Sequence, residues 1–120
     1  MAGYFRELVV WQKAMDLVEE VYLLTRLLPK DELYGLVNQM RRAVVSIPSN
    51  IAEGNSRQSK NEYIHFLSIA RGSKSEIETQ LEVCARLDYL KTNQIQKAIE
   101  LCDEVGKMLN TLIRKLSSTP

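Results

Sequence analysis

Apolar residues return at steps of three and four along almost the whole chain, the spacing that lines up side chains on one face of an α-helix. From about residue 6 to 28 two such series run side by side. One is Leu8, Trp11, Met15, Val18, Tyr22 and Thr25; the other is Val10, Ala14, Leu17, Val21, Leu24 and Leu28. Pro29 and the Lys30-Asp31 pair end the pattern. A second helix is predicted over about 32–55, capped by Asp31, with Leu33, Leu36, Val37, Met40, Val44, Ile47 and Ile51 inward and Gly54 as a left-handed stop. Pro48 falls inside it and should cost about 3 kcal/mol by removing an amide and crowding the carbonyl of Val44, so a kink is expected there.

Ser59 followed by Glu62 reads as a capping box that opens a third helix over about 60–87. Its apolar positions are Tyr63, Phe66, Ala70, Ile77, Leu81 and Cys84. Gly72 in its middle costs about 1 kcal/mol relative to alanine, which predicts either that another backbone comes close at that point or that the helix is locally weak. Thr92 is the expected cap of a fourth helix over about 93–116, whose Ile95, Cys102, Val105, Leu109, Leu112 and Leu116 keep the spacing of a left-handed bundle. Four long helices, short turns and no strand candidate predict an all-α fold, an antiparallel up-down four-helix bundle in which residues 1–120 form one domain.

The first two helices carry more apolar surface than a bundle needs. At 100° per residue the two series of the first helix span an arc of about 200°, against the 100° that buries one face. Val45, Pro48 and Ala52 widen the apolar arc of the second helix in the same way, with Arg41 among them. Surface of this kind left in water forgoes about 25 cal/mol per Å² and invites aggregation. The sequence therefore predicts a homo-oligomer whose interface is Val10, Ala14, Leu17, Val21 and Leu24 with Val45, Pro48 and Ala52. Beside the buried stripe of the second helix runs a polar one, Gln39, Arg42, Ser46, Asn50 and Glu53, expected to be a hydrogen-bonded seam between helices or subunits.

Charge changes this picture locally and not globally. The chain has 16 basic and 15 acidic residues, a net charge of +1, with 45% hydrophobic residues. From Arg41 to Ser75, however, six basic residues face two acidic ones, and from Glu76 to Glu104 three face seven. Arg41, Arg42, Arg57, Lys60, Arg71 and Lys74 could form a basic patch near the junction of the second and third helices, which makes RNA or DNA the alternative partner. No aromatic is interleaved with them to stack bases.

Catalysis finds little support. Glu62 and His65 have the Glu-x-x-His spacing of di-iron bundles, but such a site needs two pairs and His65 is the only histidine. Cys84 and Cys102, the only cysteines, fall on apolar stripes and read as buried thiols of a reducing compartment. There is no nucleophile elbow and no phosphate-cradling glycine loop. The expectation is a cytoplasmic protein that is not an enzyme, with no catalytic residue, cofactor, metal, small-molecule substrate or membrane span.

One family resemblance is specific. Trp11-Gln12, Tyr34-Gly35-Leu36, Arg41-Arg42-Ala43, Arg57, Glu62, Phe66-Leu67, Gly72-Ser73 and above all Ser46-Ile47-Pro48-Ser49-Asn50-Ile51-Ala52-Glu53-Gly54 resemble the four-helix proteins encoded by intervening sequences of bacterial 23S ribosomal RNA genes. Their relatives include the accessory protein of diversity-generating retroelements. The resemblance runs from about Tyr4 to Leu116. It implies a closed ring, since related bundles assemble as pentamers, and it makes a ribonucleoprotein role reasonable, although the near-zero net charge departs from the clearly basic relatives.

Overall fold

The computed structural model describes residues 4–118. Four α-helices follow one another: α1 from Val9–Thr25, α2 from Asn38–Asn55, α3 from Lys60–Arg86 and α4 from Thr92–Ser117. No strand occurs among the described residues. Helix α1 packs on α2 and α4, and α3 packs on the same two, so the helices stand at the corners of a square in chain order. The result is an up-down bundle measuring 49 × 22 × 20 Å. The longest helix, α3, has 27 residues, about 40 Å at 1.5 Å per residue, and so spans most of the long axis.

The core is one cluster fed by all four helices. Leu17, Val21, Met40, Val44, Ile47, Ile51, Leu67, Ile77, Leu81, Val105 and Leu109 are fully buried in it. Cys84 joins them, its thiol 3.7 Å from the Met40 sulfur.

The helix ends depart from the sequence reading in instructive places. Helix α1 stops at Thr25, three residues early, because the Thr25 hydroxyl donates to the Tyr22 carbonyl at 3.1 Å while accepting from Arg41 Nε at 2.9 Å. The chain then passes through the tight turn Lys30–Glu32 and the wide turn Leu33–Val37 before α2 begins. The break in the second helix therefore lies at Gly35, with φ −109° and ψ −106°, while α2 runs on through Pro48. Glu32, not Asp31, caps this segment: its Oε1 accepts from the Leu36 amide at 3.3 Å. Its Oε2 accepts from the Tyr89 hydroxyl at 2.8 Å, which ties the α1–α2 connection to the α3–α4 turn.

Gly54 is not a left-handed stop. It lies inside α2, and a Cβ there would sit 2.9 Å from Phe66 Cβ and 3.2 Å from the Tyr63 carbonyl oxygen; the glycine lets α2 approach α3. Gly72 is the reverse case. A Cβ added there would meet nothing within 4 Å, so no backbone comes close. Ser59 opens α3 as expected, accepting from the Glu62 amide at 3.2 Å, but α4 is capped one residue before Thr92. Lys91 donates its amide to Gln94 Oε1 at 2.8 Å. The one positive-φ non-glycine residue among those described is Asp88, in the α3–α4 turn, at φ 61°.

Candidate functional site

The two apolar series of α1 exchange the roles expected of them. Val10, Ala14, Leu17, Val21 and Leu24, predicted for an oligomer interface, are buried inside the protomer. Their series points at the square's centre, toward α2 and α4 together, and so cannot meet a neighbour. Pro48 is buried as well and Ala52 half-buried. Of the predicted interface residues only Val45 is exposed, at 39%.

The other α1 series is the one left outward. Trp11, Val18 and Tyr22 are half-buried and Met15 is 38% exposed. These four stand one above another on α1, and Val45 faces Val18 and Tyr22 from α2. Between the helices lies a shallow hollow lined by Val18, Glu19, Tyr22, Leu23, Arg26 and Val45. It continues past Tyr22 and Val45 toward Arg41, Arg42 and Ser49. Arg41 fixes the floor of this strip, its guanidinium lying 4.5 Å from the centre of the Tyr22 ring while its Nε bonds Thr25. Composition held the clue: the inward series is wholly aliphatic, whereas the outward one contains Trp11 and Tyr22, whose polar tips suit a boundary.

The polar stripe of α2 lies along the groove against α3. Ser46 Oγ and Ser73 Oγ meet at 2.9 Å across that groove, and Asn50 Nδ2 donates to the carbonyl and hydroxyl of Ser46 at 2.7 and 2.9 Å. Gln39, Arg42 and Glu76 complete a small polar hollow there. Glu53, at the end of the stripe, is drawn away to Arg57 at 3.0 Å.

The six basic residues do not converge into one patch. Arg41 belongs to the α1–α2 strip, and Arg42 stands in the α2–α3 groove at the same level. Arg57 lies some fifteen residues further along the chain, about 22 Å at the rise of α2, with Lys60 beside it at the α2–α3 turn. Arg57 is held by Glu53 and Glu62, at 3.0 and 3.5 Å, and lies 4.9 Å from the centre of the Phe66 ring. Arg71 faces α4 instead, donating to Asn110 Oδ1 at 3.0 Å. Lys74 is mostly covered and pairs with Glu78 at 3.1 Å. Sequence proximity misled because most of the 18-residue helix α2 lies between Arg41, near its start, and Arg57, just past its end.

Nor do the reactive side chains assemble. Cys84 and Cys102 are free and buried. Burial pushes their thiols up to about 11 and about 12, so neither is a nucleophile at neutral pH. His65 is exposed and stacks edge-on against Phe66, while Glu62 is engaged with Arg57. No group of three or more histidine, cysteine, aspartate or glutamate side chains is placed to hold a metal among the described residues. No helix among them is long and apolar enough to cross a membrane.

No curated protein matches the chain. Among solved structures, it is similar to the crystal structure of a protein of unknown function from the S23 ribosomal protein family of Bacteroides thetaiotaomicron. The two are 27% identical, with 87% of this chain and 97% of that one covered and a TM-score of 0.81. Residues 6–111 match the description "23S rRNA-intervening sequence protein". With nearly its whole length so matched, the chain belongs to the 23S rRNA-intervening sequence protein family.

Proposed function

We propose that this protein is a non-enzymatic assembly unit, a helical bundle that associates with copies of itself through the α1–α2 strip. The observation that carries the reading is the outward row Trp11, Met15, Val18 and Tyr22 with Val45 opposite. Val18, Tyr22 and Val45 line one hollow and the exposed Met15 stands on the same face of α1, a gathering of apolar groups that singly scattered ones would not make. At about 25 cal/mol per Å², each 100 Å² of this strip covered by a neighbour contributes roughly 2.5 kcal/mol. Arg41 and Tyr22, already locked together, present a rigid aromatic and cationic anchor that loses little side-chain entropy on association.

A closed ring, with five members as the resemblance implies, places the strip of one subunit against a different surface of the next. Light scattering coupled to size exclusion tests the reading. The wild type should run at a multiple of its 13.8 kDa protomer mass, and Met15→Glu with Val45→Glu should reduce it. A wild type of protomer mass at micromolar concentration refutes the proposal.

A further inference from the structure

The groove between α2 and α3 gathers polar groups that the fold itself does not use. The Ser46–Ser73 contact at 2.9 Å fixes the relative height of the two antiparallel helices. About one turn from it, Arg42 on α2 and Glu76 on α3 line one hollow of about 300 Å³. Two turns from it, Gln39 and Gln80 stand level, each about 10 Å from the serines along its helix. Arg42 has no ion-pair or hydrogen-bond partner among the described residues, and it does not pair with Glu76 although the two share the hollow. Gln80 is only 8% exposed. Its Nε2 reaches Glu76 Oε2 at 3.4 Å, a long bond, while its buried Oε1 has no partner. A buried acceptor left empty is costly, and native structures hold few of them. The serines leave a group over as well. Ser46 Oγ accepts from Asn50, and of the pair's two hydroxyl protons only one can lie between the oxygens, so the other remains to donate.

The hollow therefore offers a guanidinium and a hydroxyl proton as donors, and a carboxylate and an amide oxygen as acceptors. A lone anion would be drawn by Arg42 and repelled by Glu76, and a lone cation would meet the same conflict reversed. A metal ion lacks ligands, since no group of three or more suitable side chains forms among the described residues. What matches is a molecule with both charges close together. The volume of about 300 Å³ lies at the lower bound of ligand pockets, which selects a small one. An α-amino acid has this form. Its carboxylate can take parallel bonds from the planar guanidinium of Arg42. Its ammonium has three N–H donors, enough for Glu76 and for Gln80 Oε1 once the soft terminal torsion of that amide turns. Gln39, Arg42 and Glu76 are exposed, so the mouth is open and a side chain can project into solvent.

We propose that the α2–α3 hollow binds the headgroup of a small α-amino acid, its carboxylate on Arg42 and the spare serine proton, its ammonium on Glu76 and Gln80. Ser73, Glu76 and Gln80 lie on α3, outside the α1–α2 strip, and the site stands whether or not that strip assembles.

Saturation-transfer NMR on the full chain tests it with glycine, the bare headgroup of every α-amino acid; the method observes the ligand and is indifferent to the mass of an assembly. The glycine signal should saturate with a dissociation constant on the order of 1 mM. Arg42→Ala and Glu76→Gln, both at exposed positions and checked for folding by circular dichroism, should each weaken binding at least about tenfold, the effect of losing one hydrogen bond to a charged group. Acetate and methylammonium each carry half of the pattern and should bind at least about tenfold more weakly than glycine. Gln80→Leu separates a positioning role from a structural one. It removes the unpaired buried acceptor, so Tm should rise while glycine binding weakens. No glycine signal, or an equal one from the Arg42→Ala and Glu76→Gln proteins, overturns the proposal. Acetate bound as tightly as glycine would reduce the site to a plain anion contact, and glycine bound unchanged by Gln80→Leu would leave the buried amide out of it; either result overturns the proposal equally.

Discussion

Two glycines on facing helices should respond to the same substitution with opposite sign. Replacing Gly72 by alanine adds a methyl group where nothing lies within 4 Å, in the middle of an exposed stretch of α3. The helix then gains the propensity difference of about 1 kcal/mol. Replacing Gly54 brings a similar or smaller gain near the end of α2, but the new Cβ arrives 2.9 Å from Phe66 Cβ, 3.0 Å from Tyr63 Cδ1 and 3.2 Å from the Tyr63 carbonyl oxygen. A backbone oxygen and a Cβ cannot swing aside, so α2 and α3 must part. Overpacking of this kind costs about 1–3 kcal/mol, and the rigid neighbours place it at the upper end. The net for Gly54→Ala is a loss of about 2 kcal/mol. In a domain of this size each kcal/mol moves Tm by roughly 3–6 °C. Thermal unfolding followed by circular dichroism, at one fixed protein concentration because association shifts Tm, should place Gly72→Ala above the wild type and Gly54→Ala clearly below. A Gly54→Ala protein as stable as the wild type would show that the α2–α3 approach is not as close as the structure has it.

Buried and exposed positions of α1 separate in the same assay. Leu17→Ala, at a fully buried position, should cost about 2–5 kcal/mol, whereas Leu23→Ala, 54% exposed, should cost less than about 0.5 kcal/mol; equal losses would contradict the register of α1. Both thiols should resist a disulfide reagent at pH 8 in the folded protein and react once urea unfolds it, because burial favours the neutral form. The folded thiols hold their protons more tightly than unfolded ones, so stability should be level below about pH 9 and decline as pH rises toward 11–12. Urea midpoints measured across that range decide it, and a rise would reverse the assigned sign. Ser46→Ala removes the hydroxyl that meets Ser73 and accepts from Asn50, and should lower stability by about 1 kcal/mol; a neutral result would show that water replaces it.

Periodicity carried the long elements well, since α3 and α4 begin and end within about one residue of where spacing and turn residues put them. It failed over residues 26–37. There the chain's course is set by Thr25 bonding Arg41 and by Glu32 bonding Tyr89, across sixteen and fifty-seven residues, and no local pattern reports such contacts. A wide apolar arc likewise announces that a helix has two greasy sides without saying which turns inward. That depends on where α2 and α4 stand around α1. The basic residues were misplaced for a related reason: the length of α2 parts Arg41 near its start from Arg57 past its end, and only the fold fixes who sits opposite whom.

Glu32 gives one end of the bundle a shared hinge pin. Its two carboxylate oxygens serve different hairpins, the α1–α2 connection through Leu36 and the α3–α4 turn through Tyr89. Slackening either loop therefore loosens its neighbour, and the two should open to solvent as a unit. Amide exchange around Gly35 and Leu90 would then keep a common tempo, which Glu32→Ala should quicken at both loops while leaving the far α2–α3 turn at its own pace.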